Sequence, residues 1–245
     1  MRLKLVEPAK AEASLRQHLR MLPKDADAHF GLGVALRSQG RDAEAVDAYE
    51  AALRISPTDF ESWANLAAAL GSLGQYDDET AAYRRAVVLR PSDLKAWINL
   101  GISRTSAGRP DEAEDPFRQA AAASPSDPRP PMYLGRLLST LSRPAEAISS
   151  FYEVAALNAE YFDEVKLGVG TARAMQGRLA EATDNFASAS RMDPKNARLA
   201  ASLEGMARQV LTPLRHVRVR IPPHPLTHSP PPTHLLDPPS TRGSP

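Results

Sequence analysis

Apolar residues in this chain recur at spacings of three, four and seven residues, which is the pattern of a helix that buries one face. Segment 59–91 shows this pattern twice. The first stripe consists of Trp63, Leu66, Ala67 and Leu70, and the second of Tyr83, Ala86, Val87 and Leu89. Gly74 interrupts the pattern between the stripes, and Pro91 ends the second one. The segment therefore predicts two antiparallel helices joined by a short turn.

The two-helix pattern repeats at a fixed period. Helix-sized segments end in Pro-(Ser/Thr/Lys)-(Asp/Asn) turns that begin at Pro23, Pro57, Pro91, Pro125 and Pro194. The first four prolines lie 34 residues apart, and the last follows after two periods plus one residue. The Asp or Asn of each turn is placed to accept hydrogen bonds from the free N–H groups of the next helix. Such a period predicts a solenoid, in which each unit buries its apolar face only against its neighbours.

The predicted fold is all-α, an α-solenoid of helix-turn-helix units with a capping helix and a disordered C-terminal tail. Its predicted segments are a half-repeat helix (7–25), repeats 1 to 5 (26–59, 60–93, 94–127, 128–162 and 163–196), a capping helix (197–211) and a proline-rich tail (212–245). A solenoid needs a half-polar terminal helix to cover its last open face. Ten of the 34 tail residues are proline, which favours disorder with polyproline II character.

Three features depart from a regular array. Glu79 stands where the other repeats have a small residue, so repeat 2 is predicted to pack more loosely there. Pro116 falls inside the second helix of repeat 3 and predicts a kink, absorbed by the solenoid or serving as a hinge. The first helix of repeat 4 is predicted to begin around Pro128 and to be poorly formed until Met132, because prolines crowd its first turn.

Composition and charge narrow the classes of function. Hydrophobic residues make up 42% of the chain and aromatic residues 6%, as expected for helices packed on alanine and leucine. The net charge is +1, and the tail alone carries +3 from four arginines and one aspartate. The remaining body is at −2 and offers no basic footprint for nucleic acid. The absence of cysteine excludes disulfides, thiolate metal sites and cysteine catalysis.

The sequence contains no motif that predicts chemistry or membrane insertion. It has no GxxxxGK(S/T), no GxGxxG after a strand and no HExxH, so neither catalytic residues nor a cofactor or metal site are predicted. The four tail histidines are irregularly spaced and lack a rigid frame for a metal. No segment has the apolar length of a secretory signal or of a membrane span. A cytoplasmic protein without a membrane or nucleic-acid partner is therefore expected.

The repeats resemble the tetratricopeptide repeat family over roughly residues 7–211. Segments 63–66 (WANL) and 97–101 (WINLG) match its first-helix motif. Segments 42–45 (DAEA) and 180–182 (AEA), each followed by an aromatic residue, match its second-helix motif. The resemblance implies a right-handed superhelix, and a protein-interaction scaffold that binds an extended peptide or partner helix in a concave groove lined by first helices.

Two hypotheses on function stay open at this point. The first is the non-catalytic scaffold. The second is a separated or truncated part of a sulfotransferase or an O-linked N-acetylglucosamine transferase-like enzyme, because similar arrays precede such catalytic domains and contribute to substrate recognition. Segment 212–245 is too short for a catalytic fold, so this chain is predicted not to be an enzyme unless the natural chain is longer.

The predicted groove residues are those opposite the packing stripe of each first helix. The candidate partner-binding residues are Asn65, Lys95, Asn99, Arg129, Tyr133 and Arg136. The two asparagines resemble rungs of the asparagine ladder in the transferase arrays, where amides can pair with a peptide backbone, or they are only common solvated residues of the family. Neighbouring groove positions are predicted at Glu164, Leu167 and Thr171.

The charge layout of the predicted groove suggests a kind of partner. Its middle is basic, with two arginines and Lys95, while its flanks carry acids such as Asp27 and Glu164. This layout favours a peptide with an acidic centre or a free C-terminal carboxylate. The carboxylate clamp of chaperone-binding members requires a Lys and an Asn four residues apart, and positions 30/34 and 64/68 lack them. A C-terminal tail of Hsp70 or Hsp90 is therefore disfavoured as the partner.

Overall fold

The computed structural model describes residues 7–192, 201–202 and 205–206. Within residues 7–192 the chain forms eleven α-helices and no strand. The helices are α1 (Pro8–Met21), α2 (Ala26–Arg37), α3 (Asp42–Ile55), α4 (Phe60–Ser72), α5 (Tyr76–Leu89), α6 (Leu94–Ser106), α7 (Glu114–Ala123), α8 (Arg129–Thr140), α9 (Pro144–Leu157), α10 (Phe162–Met175) and α11 (Leu179–Met192). Among these helices, none has the length and apolarity needed to cross a membrane. Most of the predicted capping helix and all of the proline-rich tail lie outside the described residues.

The helices pair as repeats, and each helix packs against the next one along the chain. Repeat 1 is formed by α2 and α3, repeat 2 by α4 and α5, repeat 3 by α6 and α7, repeat 4 by α8 and α9, and repeat 5 by α10 and α11. Helix α1 precedes them and packs against α2. This order is the predicted α-solenoid.

The turns between repeats confirm the predicted helix caps where the sequence is regular. Asp25, Asp59 and Asp93 each accept a hydrogen bond from the N–H group three residues further on, at 3.0, 2.8 and 2.8 Å. Each bond satisfies an N–H group that has no partner inside the helix. Within the repeats, Gly40, Gly74, Gly108 and Gly177 adopt φ values of 73° to 75° in the turn between helices. Repeat 4 uses Ser142 there instead, with φ 58°.

An aromatic ring against a glycine holds the two helices of a repeat together. In repeat 3 a Cβ atom at Gly101 would lie 2.5 Å from the ring of Phe117, closer than side chains can approach. The same arrangement joins Gly33 to Tyr49, Gly135 to Phe151, and Gly170 to Phe186. Because glycine has no side chain, the ring can lie against the backbone of the facing helix, and the rings are buried.

The first helices lie on the inner side of the array. Helix α2 contacts α4, and α8 contacts α10, although a second helix separates each pair in sequence. In the described residues, no two second helices of neighbouring repeats make contact of that extent. At these two junctions the first helices are therefore closer to each other than the second helices are, which places the first helices on the concave side of the array.

Repeat 2 accommodates the Glu79 side chain because a glycine, Gly71, faces it. Gly71 lies on the facing helix, where a Cβ atom would approach the Glu79 carboxylate to 2.6 Å. Burial raises the pKa of the Glu79 carboxyl above its usual value. In the described residues no cation lies within ion-pair distance of it. At the position where looser packing is predicted, the half-buried Glu79 side chain thus packs against Gly71.

Repeat 3 accommodates Pro116 near the start of its second α-helix. The second helix begins as a short 3₁₀ segment, Pro110–Ala113, and α7 starts only at Glu114. Pro116 therefore falls in the first turn of the α-helix, where the missing N–H group has no intrahelical partner to lose. The expectation that Pro116 falls well inside a helix is wrong, because the chain changes helix type before the proline.

Repeat 4 also differs from expectation at its start. Helix α8 begins at Arg129, next to the predicted start at Pro128, but it is regular from that residue and not only from Met132. Pro130 and Pro131 occupy its first turn and are buried. The first helical turn tolerates proline because its N–H groups are free in any helix.

Replacing Gly101 by alanine is expected to destabilise the folded chain by about 1–3 kcal/mol, because the new methyl group would meet the Phe117 ring. Gly31→Ala is the matched control in α2. Its Cβ would lie 3.4 Å from Leu15, an ordinary contact, so the higher helix propensity of alanine should leave stability unchanged or raise it. Urea unfolding followed by circular dichroism measures both. Equal effects of the two substitutions would contradict the ring-on-glycine account.

Glu79→Gln is expected to change the pH dependence of stability. The pKa of Glu79 is raised in the folded chain, so its ionised form destabilises the fold above that pKa, and protonation removes the cost as the pH falls. The variant should therefore be more stable than the wild type at neutral pH, and the difference should shrink towards about pH 4. Urea unfolding of both proteins across this range measures the difference. A difference that grows on acidification would contradict the burial of this carboxylate.

Candidate groove on the concave face

The candidate residues lie on three neighbouring first helices. Asn65 is on α4, Lys95 and Asn99 are on α6, and Arg129, Tyr133 and Arg136 are on α8. Since first helices form the inner side of the array, all six belong to the helices that line the concave face. Their surroundings nevertheless differ from one residue to the next.

Asn65, Asn99 and Tyr133 share one sequence position with Gly31 and Gly168, which we call the seam position. It lies where a first helix meets the second helix of the preceding repeat. Gly31 lies against Leu15 at 3.4 Å, and a Cβ atom at Gly168 would come within 2.5 Å of the Phe151 ring. A residue at the seam position therefore serves the packing between repeats as well as the groove.

Tyr133 fills its seam position with an aromatic ring. The ring stacks on Phe117 of the preceding repeat, with centroids 5.5 Å apart and planes inclined by 9°. Offset or stacked pairs at this separation stabilise a fold beyond the area that they bury. Tyr133 is only partly buried, so it packs between repeats and still contributes to the concave surface.

The two asparagines have different partners. The side-chain amide of Asn65 donates to the carbonyl of Glu61 in its own helix at 2.8 Å. Asn99 lies beside Tyr83, and burial raises the pKa of the Tyr83 hydroxyl to about 12. Both asparagines are half-buried. That the two asparagines hydrogen-bond the backbone of a bound peptide stays a prediction.

Arg129 is engaged within its own turn. Its Nε and Nη2 atoms donate to the two carboxylate oxygens of Asp127 at 2.9 and 2.6 Å. This hydrogen bonding raises the pKa of Arg129 and lowers that of Asp127. The charge of Arg129 is thus largely compensated before any ligand arrives.

Lys95 and Arg136 carry the exposed positive charge of the predicted site. Among the described residues, no carboxylate lies within ion-pair distance of either cation. The middle of the groove therefore carries two uncompensated positive charges among the described residues, and not the three that the sequence suggests. These charges belong to one lysine on α6 and one arginine on α8.

A pocket of about 360 Å³ opens between α8 and α10 on the concave side. Arg136 and Ser139 of α8 line one wall, and Glu164, Leu167 and Thr171 of α10 line the other. The Phe151 ring and Gly168 complete the lining. The structure thus brings one candidate residue, Arg136, together with three predicted groove positions.

The sequence pattern does not single out Ser139, Phe151 or Gly168 as site residues. Gly168 has a visible signal in the sequence, because a glycine there breaks the series of larger seam residues. Phe151 matches the aromatic position of the packing pattern, so it is expected only in the core. Among the described residues, no group of three His, Cys, Asp or Glu side chains is arranged for a metal ion. The arrangement is that of a binding surface with an apolar base and a charged rim.

Two family models, both described as tetratricopeptide repeat, match the sequence. One matches residues 2–60 and 65–128, and the other matches residues 48–80, so the matches span half of the chain. The chain belongs to the tetratricopeptide repeat family. Among curated proteins, none matches this tetratricopeptide repeat chain.

Solved structures share the fold at low sequence identity. A crystal structure of MamA protein is 21% identical with a TM-score of 0.65, and the match covers 71% of this chain and 94% of that one. YrrB, described as a TPR protein with an unusual peptide-binding site, is 15% identical with a TM-score of 0.66, covering 78% and 97%. A tetratricopeptide repeat protein from Parabacteroides merdae ATCC 43184 is 16% identical with a TM-score of 0.71, covering 78% and 75%.

These likenesses show the fold of this tetratricopeptide repeat chain, a right-handed α-solenoid. None of the three structures is named as a glycosyltransferase or a sulfotransferase. The alternative of a transferase fragment therefore gains no support from them.

Tyr133→Ala is expected to lower the free energy of unfolding by about 1–3 kcal/mol, because it removes the ring stacked on Phe117. Tyr133→Phe keeps the ring and is the matched control, expected to change stability by less than about 0.5 kcal/mol. Chemical unfolding of the two variants measures this difference. An alanine variant as stable as the phenylalanine variant would show that Tyr133 does not hold the two repeats together.

Proposed function

We propose that this protein is a non-catalytic interaction scaffold whose concave groove binds an extended peptide or a partner helix. The observation that carries the proposal is the pocket between α8 and α10, which opens on the inner face of the array and has Arg136 at its wall. A concave site with an apolar base and a few polar groups is the usual form of a binding site. Peptide binding also agrees with the peptide-binding site described for the structural neighbour YrrB.

The charge of the groove supports a partner with an acidic group. Lys95 and Arg136 are exposed cations on adjacent first helices, whereas Arg129 is held by Asp127. Charge complementarity at exposed positions contributes to the choice and orientation of a partner. We therefore propose Lys95 and Arg136 as the main charged contacts, with Asn65, Asn99 and Tyr133 along the same face and Arg129 at its edge.

The location of the protein belongs to the same proposal. A scaffold of this kind is proposed to act in the cytoplasm. Its partner is proposed to be a protein or peptide and neither nucleic acid nor a membrane.

Arg136→Glu is expected to weaken the binding of a groove peptide at least tenfold, which is about 1.4 kcal/mol, while leaving the melting temperature unchanged. The reason is that the substitution reverses an exposed charge without removing a packing contact. Peptides selected on the wild-type chain from a random display library, labelled for fluorescence anisotropy, provide the affinity measurement.

Arg85→Glu is the matched control for this experiment. Arg85 is an exposed arginine on α5, a second helix away from the concave face, so its reversal should leave peptide affinity unchanged. A triple variant, Asn65→Ala, Asn99→Ala and Arg136→Glu, extends the test to the whole groove. Undiminished affinity of this triple variant would move the binding surface to the convex face or the tail.

A further inference from the structure

We infer that the pocket between α8 and α10 receives an aromatic side chain of the bound peptide, one that carries a polar hydrogen, as tyrosine and tryptophan do. This inference rests on the proposed function of the groove and names the residue class that the groove selects. It follows from a comparison of two consecutive repeat junctions in the same chain.

The junction between repeats 3 and 4 shows what fills this space when the chain supplies its own side chain. Phe117 comes from the second helix of repeat 3, and Tyr133 occupies the seam position of repeat 4. The two rings stack at 5.5 Å with nearly parallel planes. At this junction an aromatic ring is therefore the side chain that covers the phenylalanine on the concave side.

The junction between repeats 4 and 5 has the same phenylalanine but a glycine at the seam position. Phe151 is the equivalent of Phe117, and Gly168 is the equivalent of Tyr133. A Cβ atom at Gly168 would lie 2.5 Å from the Phe151 ring, so no side chain can be placed there without moving the ring. The pocket lined by Phe151 and Gly168 opens at this point. A ring from another molecule would cover the junction as Tyr133 does one repeat earlier.

The charged groups at the pocket favour a ring that bears a hydrogen-bond donor. Arg136 and Glu164 lie on opposite walls, and they are not within ion-pair distance of each other. Thr171 and Ser139 donate their hydroxyl hydrogens to carbonyls of their own helices, at 2.9 Å in both cases. Because these hydroxyls have donated their hydrogens, they and the Glu164 carboxylate are available only as acceptors, which suits a phenol O–H or an indole N–H. The guanidinium of Arg136 can pack on an aromatic face.

Other side-chain classes satisfy only part of this lining. Inside the pocket a carboxylate would pair with Arg136 but be repelled by Glu164, and a cation would meet the reverse situation. The acidic group proposed for the groove is therefore expected outside the pocket. An aliphatic side chain would fit Leu167 and Phe151 but would cover the two charged groups without pairing them. An aromatic side chain with a donor is the class that matches both the apolar base and the rim.

Small probes test the pocket directly. The probes are N-acetyl-L-tyrosinamide, N-acetyl-L-tryptophanamide and N-acetyl-L-leucinamide, titrated separately into the full chain while backbone amide signals are followed by NMR. We expect the two aromatic probes to shift the signals of Leu167, Gly168 and Thr171, with affinities at least tenfold higher than that of the leucine probe. A leucine probe that binds as tightly, or aromatic probes that shift signals only elsewhere, would overturn the inference.

Two tryptophan substitutions separate the pocket from its surroundings. Thr171 is exposed and lines the pocket, so Thr171→Trp should abolish the aromatic shifts by filling it. Thr140→Trp is the matched control. Thr140 is also exposed and also donates to a carbonyl four residues earlier in a first helix, but it does not line the pocket. Equal effects of the two substitutions would overturn the assignment.

Peptides selected from a display library distinguish failure of the inference from failure of the proposed function. Selected peptides with a shared tyrosine or tryptophan that lose affinity for Thr171→Trp support both. If the selected peptides share no aromatic residue but bind Arg136→Glu more weakly than the wild type, the groove is supported as the peptide site and the aromatic pocket is overturned. A third outcome is that the aromatic probes bind, but the selected peptides bind equally well to Thr171→Trp and Arg136→Glu. That outcome would support the aromatic pocket and overturn the groove as the peptide site.

Discussion

The repeats are held together by aromatic rings that pack between two helices. Phe117 lies against the backbone of Gly101 in its own repeat and against the Tyr133 ring in the next one. A single side chain thus sets both the packing within a repeat and the packing between repeats. Because a repeat cannot bury its apolar face alone, such shared contacts join each repeat to its neighbour.

The same contact links the core to the groove. The residue at the seam position is chosen partly by the ring beneath it: asparagine beside Tyr83, tyrosine on Phe117, and glycine against Phe151. The concave surface therefore changes from repeat to repeat as a consequence of packing. Where the ring excludes every side chain, at Gly168, the surface opens into a pocket.

The sequence predicts the regular part of this structure well, because its contacts are local. The aspartate caps and the glycine turns involve residues close in the chain, and the 34-residue period places them without knowledge of tertiary contacts. The compensation of Glu79 by Gly71, and the 3₁₀ start before Pro116, depend on a facing helix or on the choice between two helix types. The pocket likewise depends on the position of the Phe151 ring, which no periodicity in the sequence specifies.

The pairing of Arg129 with Asp127 changes which part of α8 is expected to recognise a partner. With two prolines following Arg129, few backbone donors are left at the start of α8, and Asp127 accepts instead from the backbone and the side chain of Arg129. The arginine and the prolines thus form a structural start to the helix. Arg136 lies about two turns further along α8, past this start, and faces the pocket with its charge unpaired among the described residues. Recognition is therefore expected to centre on the second half of α8 and on α10, where the seam glycine leaves room for a ligand.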